Sequence, residues 1–263
     1  MKQTALTSLC AAMLMGLSAN AQAWSPGAEI HFEAVPSFEY EEPDVMSQEG
    51  QLFGLGGAYT WRNNATHVRL DLAYLTGDTD YDGQTWSGIP ATSTADDDIY
   101  LLQARIGENI GSVERPIIPF AGIGHRMWRQ DLKDGRDAGG NRVLGYERGH
   151  DYTYFTAGVI FGGDTPSASW RLGGEVQPLL SGEARADLPN HGSQRLSMDS
   201  GYGLQLHARI QTAISDRVNL FGETYWQRWD ISRSERKEVA PDVIVVEPEN
   251  TTDTYGVRFG LGF

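Results

Sequence analysis

The chain has 263 residues, 40% of them hydrophobic, with 31 glycines, one cysteine and a formal net charge of -14 at pH 7. Its mean hydropathy is -0.39, and no stretch after Ala23 approaches the roughly 18 uninterrupted apolar residues of a helical membrane span. The acidic balance argues against nucleic acid as a partner.

Lys2, the small and apolar run 5–19 and the triplet Ala21-Gln22-Ala23 follow the order of a secretory signal with a small-x-small cleavage site. Residues 1–23 are therefore expected to be removed, leaving a single domain over residues 24–263. Cys10 goes with the signal, so neither a disulfide nor a thiol nucleophile is expected in the mature protein, which becomes one unit more acidic.

From residue 27 the pattern has period two, the signature of half-buried strands. Residues 27–41 set Ala28, Ile30, Phe32, Ala34, Pro36, Phe38 and Tyr40 against Glu29, His31, Glu33, Ser37 and Glu39. After a connection at 41–49, a second strand carries Phe53, Leu55, Tyr59 and Trp61 on one face and Gly54, Gly56 and Ala58 on the other. Asn63-Asn64 is a turn, and a third strand sets Val68, Leu70, Leu72 and Tyr74 against His67, Arg69 and Asp71. Residues 77–97, rich in Gly, Asp, Ser and Thr, are expected to be a long loop. Strand four places Gln103 and Arg105 opposite Tyr100, Leu102, Ala104 and Ile106. Strand five, 117–128, contains Pro119-Phe-Ala-Gly-Ile-Gly124 and Arg126.

A second long loop is expected at 130–150, followed by strand six (152–162) and strand seven (169–180), where Arg171, Glu175 and Gln177 oppose Trp170, Leu172, Val176 and Leu180. A third long loop covers 181–200. Strand eight sets Gln205, His207, Arg209 and Gln211 against Tyr202, Leu204, Leu206, Ala208 and Ile210. Strand nine (218–231) has unclear faces, since Phe221, Tyr225 and Trp229 share a side with Glu223 and Gln227. A fourth long loop, 232–252, leads to the last strand, where Tyr255, Val257, Phe259, Leu261 and Phe263 lie opposite Gly256, Arg258, Gly260 and Gly262.

That greasy, aromatic-terminated ending and the run at 119–124 resemble the small outer-membrane β-barrel proteins of Gram-negative bacteria. The resemblance implies an all-β, antiparallel up-and-down transmembrane barrel of about ten strands in the cell outer membrane. It also implies lipid and lipopolysaccharide around the barrel, and an assembly machinery that recognises the strand bearing Tyr255, Val257, Phe259, Leu261 and Phe263. The alternation of short and long connections fits periplasmic turns and extracellular loops. A soluble β-sandwich would account for the alternation of side chains but not for that of the connections.

Two aromatic girdles are expected: Phe38, Tyr40, Tyr74, Tyr100, Trp128, Tyr202, Trp226 and Tyr255 toward the outer interface, and Tyr59, Trp61, Phe161, Trp170 and Phe263 toward the inner one. Proline cannot donate to a ladder, so Pro36, Pro119 and Pro178 are placed near strand ends.

The opposite faces collect Glu29, His31, Glu33, Glu39, Arg69, Asp71, Gln103, Arg105, Arg126, Arg171, Glu175, Gln205, His207, Arg209, Glu223 and Arg258. Both signs occur, so these residues are expected to form a cross-lumen network of ion pairs. A plugged structural lumen and a narrow pore both remain open, as does a surface-binding role for the long acidic loops, with a small solute or an extracellular ligand as the partner.

Asp78-Thr-Asp-Tyr-Asp-Gly83 matches the opening of a calcium loop, but the position of its bidentate glutamate holds Ile89. Asp78, Asp80 and Asp82 are the candidate metal ligands, and neither a metal nor a cofactor is assigned. The strand count also resembles that of omptins, outer-membrane proteases, with Asp78 and Asp80 opposite Asp187 and His191 standing in for their acidic and Asp/His pairs. Here the Asp and His lie four residues apart on a proline-containing loop, and no enzyme is expected.

Overall fold

The computed structural model describes residues 25–263 apart from 64, 86, 166, 189–191, 241 and 242. The expected signal sequence and His191 thus lie outside the described residues. Ten long strands run β1 (Ser25–Glu42), β2 (Met46–Arg62), β3 (Thr66–Gln84), β4 (Pro90–Glu108), β5 (Ile117–Leu132), β8 (Glu147–Asp164), β9 (Ala168–Leu188), β11 (Gly201–Ala213), β12 (Asn219–Ile231) and β15 (Asn250–Gly262). Between them lie the short β6 (Gly135–Asp137), β7 (Arg142–Val143), β10 (Gly192–Met198), β13 (Lys237–Ala240) and β14 (Val243–Val245).

Each long strand pairs antiparallel with its sequence neighbours, and β1 closes the cylinder on β15 through pairs from Glu29 with Gly262 to Glu41 with Thr251. Closure leaves no free edge. The result is the up-and-down barrel of ten strands that the alternation implies.

The outward face of each strand changes character along its length. In the first half of β1, Ile30 and Phe32 are exposed; neighbouring strands expose Phe53, Leu55, Leu72, Leu102 and Phe259 at similar levels. Further along, the exposed outward residues are Glu39, Glu49, Asp78, Asp80 and Asp131. A barrel strand needs about 9–11 residues to cross the hydrocarbon, whereas β3 has 19 and β9 has 21. The apolar part is therefore the membrane span, and the acidic part continues the barrel beyond it.

That continuation corrects the four expected long loops. Within 77–97 the chain stays paired as β3 and β4 out to Gln84 and Pro90, and within 181–200 β10 folds back on β9 from Leu188. Within 130–150, β6 and β7 form a small hairpin against β4, and within 232–252, β13 and β14 form another. Glycine, aspartate and threonine read as loop formers by composition, but here the ladder hydrogen bonds of neighbouring strands hold them extended.

Two prolines produce a second correction. Pro36 and Pro178 lie inside strands, Pro36 at a register shift and Pro178 two residues before the shift at Leu180. At the first, one extra residue of β1 sits between the Ala34–Val257 and Ser37–Tyr255 pairs, so a residue without an N–H occupies the unpaired place. The extra residue inverts the faces. Val35 keeps the inward face of Glu33, whereas beyond the bulge Phe38 and Tyr40 turn inward and are fully buried, and Glu39 turns outward. Phe38 and Tyr40 thus leave the expected girdle for the lumen. Trp128 does so as well, because period two gives it the face of Arg126, and it is 0% exposed. Tyr74, Tyr100, Tyr202 and Tyr255 remain exposed outward at the outer level, as do Tyr59, Trp61, Phe161, Trp170 and Phe263 at the inner level.

Candidate functional site: the lumen and its extracellular mouth

The lumen is layered. At the short-turn end, periplasmic by the general rule for such barrels, inward positions of β1, β3, β4, β11, β12 and β15 bring the expected charges together. Arg69 bonds Glu29 at 2.8 Å and Asp71 at 2.7 Å, and Arg105 donates to Asp71 at 3.0 Å. Arg209 reaches Glu29 at 3.0 Å while lying over the Phe221 ring, 3.7 Å from its centroid. Arg258 joins Glu33 at 3.0 Å and Glu223 at 2.8 Å. His31 sits 3.4 Å from Glu33. Arg171 stands apart from this network, pairing with Asp164 at the rim. Glu29, Arg69, Asp71, Arg105, Arg209, Glu223 and Arg258 border a cavity of about 410 Å³, also lined by Arg171, His207 and Phe263.

Above it lies an amide layer. Glu175 accepts from Gln177 at 2.6 Å, Thr156 at 3.1 Å and Gln103 at 3.2 Å, and Arg105 lies 3.7 Å away. Gln227 donates to Gln177 at 3.0 Å. Tyr225 donates to Glu33 and packs its ring against Gly256, where a Cβ would come within 2.3 Å of it. That glycine gives the aromatic side chain its place in the lumen.

The next layer is aromatic, and it crosses the barrel. Tyr40 and Trp128 meet edge-on at 4.9 Å between centroids, Trp128 stacks on His150 at 5.0 Å, and His150 is 6.0 Å from Tyr152. Tyr152 and Tyr154 both pack on Trp229, at 5.8 and 5.1 Å. These rings come from β1, β5, β8 and β12, and Phe38, Leu52, Leu75 and Ile99 fill the space beside them. The Trp128 indole N–H donates to Asp97 at 2.7 Å, and Thr79 donates to the same carboxylate at 2.6 Å. Arg126 lies among the rings, 5.1 Å from the Trp128 centroid and 5.7 Å from that of Tyr152. Among the described residues it pairs with no carboxylate.

Beyond the membrane span, a buried ionic cluster caps the rings. Arg148 donates to Glu42 and, at 2.8 Å, to Glu247. His150 Nε2 is 2.8 Å from the same Glu247 oxygen, and Tyr40 donates to Glu42 at 2.8 Å. Glu247 belongs to the β12–β15 connection, which closes on itself through Ser234 N–H to the Glu247 carbonyl at 3.0 Å and Glu247 N–H to Ser234 Oγ at 2.8 Å. The cluster thus pins an extracellular segment into the mouth. Burial pushes the Glu247 carboxyl up, but Arg148 and the His150 bond outweigh it and hold the carboxyl down to about 2. Burial pushes the His150 imidazole down, against the pull of Glu247. A neutral imidazole with its proton on Nε2 fits this arrangement, since Nδ1 is buried without a partner.

Asp78, Asp80 and Asp82 project from the outer face of β3, alternating with the inward Thr79 and Tyr81. They face away from the mouth. Among the described residues, no group of three His, Cys, Asp or Glu side chains is placed to hold a metal ion. Asp187 lies on β9 and is engaged by Arg185 at 2.6 Å, so the described members of the omptin-like constellation do not converge.

Sequence reasoning missed Glu42, Arg148, His150 and Glu247, and it missed the aromatic layer. Its signal was parity, since Arg148, His150, Tyr152 and Tyr154 share one face of β8.

No family model matches the chain, and no curated protein does. Among solved structures, the outer membrane protease OmpT from Escherichia coli aligns over 93% of this chain and 99% of its own, at TM-score 0.65 and 9% identity. The fold is that of a Gram-negative outer-membrane β-barrel. The translocator domain of the autotransporter NalP from Neisseria meningitidis (98% and 94% covered, TM-score 0.48, 14% identity) also matches. So does Neisserial surface protein A (90% and 98%, 0.37, 12%). In such a fold the apolar, aromatic-edged belt of this chain is embedded in outer-membrane lipid and lipopolysaccharide.

Proposed function

We propose that this barrel is a non-conducting, non-enzymatic surface protein whose working part is its extracellular end, with the ion-paired lumen serving as scaffold. The observation that carries this reading is the run of rings from Tyr40 through Trp128, His150 and Tyr152 to Trp229, all at most 1% exposed, bridging opposite walls. A pore would need water along its axis at this level, and close-packed aromatics leave none. The network of Glu29, Glu33, Arg69, Asp71, Arg105, Glu223 and Arg258 then acts by pairing charges across strands, rather than by selecting ions. A non-catalytic role is supported by the outward direction of Asp78 and Asp80.

Liposome swelling tests the proposal. Vesicles carrying the refolded protein are expected to swell in isosmotic arabinose no faster than protein-free vesicles, and rapid swelling would overturn the reading. The alternating run Tyr255, Val257, Phe259 and Leu261 of β15, with Phe263 after it, would be the assembly signal. Deleting Phe263 is expected to cut the amount recovered in the outer membrane several-fold, measured by quantitative immunoblot, and full recovery would contradict that role.

A further inference from the structure

At the extracellular mouth lies a cup of about 380 Å³, lined by residues that include Tyr81, Ala91, Leu132, Leu144, Tyr146 and Leu188. It sits beyond the rings, since Tyr81 packs against the buried cluster that holds Tyr40 and Trp128. Its wall is mainly apolar, Val143 completing the aliphatic side, with Gln84, Thr85, Thr92, Ser93 and Lys133 as its polar members, and a concave, mainly apolar wall facing water gains by filling.

Two phenols converge on it. Among the described residues, neither Tyr81 nor Tyr146 donates a hydrogen bond, and Gly83 leaves the Tyr81 hydroxyl its space, since a Cβ there would come within 2.5 Å of that oxygen. The one charged residue of the lining, Lys133, has its ammonium bound by Asp96 and Asp131, each at 2.6 Å. No free charge therefore faces the interior. Asp96 and Asp131 share the Lys133 ammonium and Asp134 pairs with Arg142, so the lining offers no free cation to an anionic occupant.

We infer that the extracellular cup binds an uncharged, ring-containing small molecule that carries one hydrogen-bond acceptor for the Tyr81 or Tyr146 hydroxyl. A cup of this volume suits roughly 12–20 non-hydrogen atoms. Because the rings close the floor, the occupant is held at the cell surface rather than passed inward. The inference goes beyond the proposed function: occupancy of the cup is independent of whether ions cross the barrel, so the two fail separately.

Photolabelling with 4-(hydroxymethyl)benzophenone, which is neutral, supplies the test. After irradiation of the refolded protein and peptide mapping, saturable labelling is expected on residues 132–146 and around Leu188. Unreactive 1-naphthol is expected to lower it at least tenfold, and the anionic 4-benzoylbenzoate to label the same peptides at least tenfold less. Ala91→Trp, which fills the cup, is expected to abolish this labelling with the heat-modifiable gel shift unchanged; if that variant does not fold, competition on the native protein decides. Labelling spread without saturation over lipid-facing strands, labelling indifferent to 1-naphthol, or equal labelling by the anion would each overturn the inference.

Discussion

Arg258 and Arg126 are both lumen arginines, and their surroundings give them opposite roles. Arg258 sits between Glu33 and Glu223, and Glu33 is 0% exposed. Removing the cation leaves a buried carboxylate without its principal partner, which typically costs about 3–5 kcal/mol. Arg258→Ala is therefore expected to lower the temperature of the heat-modifiable gel shift markedly. Arg126, 3% exposed, contacts rings and no carboxylate, so Arg126→Met removes a buried charge and fills similar volume. That variant is expected to match or exceed the native shift temperature; a loss as large as that of Arg258→Ala would contradict the pairing described here. Period two alone put Arg69, Arg105, Arg209 and Arg258 on the inward face. It could not show which partners they take, because the pairs join strands far apart in sequence, such as Arg209 with Glu29 and Arg258 with Glu33.

Among the elements, β1 shows why the pattern misled beyond Pro36. Alternation read straight through the proline puts Phe38 and Tyr40 toward lipid; the bulge adds one residue and inverts everything after it. Because that residue is unpaired on both sides, deleting Pro36 is expected to leave Glu33 and Val35 inward, Phe38 and Tyr40 still inward, and the barrel folded. Deleting Leu55, in a stretch of β2 paired without a shift, is expected to prevent assembly. Heat-modifiable mobility of the two variants checks this, and equal failure would contradict the bulge assignment. The hairpin extensions were illegible for another reason: their Gly, Asp and Thr residues favour turns locally, and only their neighbours hold them as strand.

The β12–β15 connection carries a pH dependence. His150 has its folded pKa below 6.5, so its contribution is complete above pH 6.5 and declines as pH falls below it, when the unfolded chain takes up the proton. Glu247, held at about 2, contributes fully above its ordinary 4.5 and loses that contribution as pH falls from there toward 2. The Arg148, Tyr40, Tyr146 and Tyr152 groups around them keep their protons throughout this range, and Glu42 is the other carboxylate of the cluster. Protease cleavage near Lys237 in the refolded protein is expected to accelerate below pH 6.5, and again below 4.5. His150→Gln is expected to remove the upper step, and a rate flat from pH 8 to pH 3 would contradict the pinning of this connection by Arg148, His150 and Glu247.

In the whole molecule, the strand number and the closure were legible, because lipid imposes an apolar outward face on every strand. What fills the lumen was not. Both a plug and a pore place polar residues inward within the span, and the difference rests on rings such as Trp128, Tyr152 and Trp229 meeting from separate walls. We propose that these rings close the barrel. Single-channel recording in planar bilayers tests it most directly: the refolded native protein is expected to give no stable ohmic steps, and a reproducible unitary conductance would contradict the account.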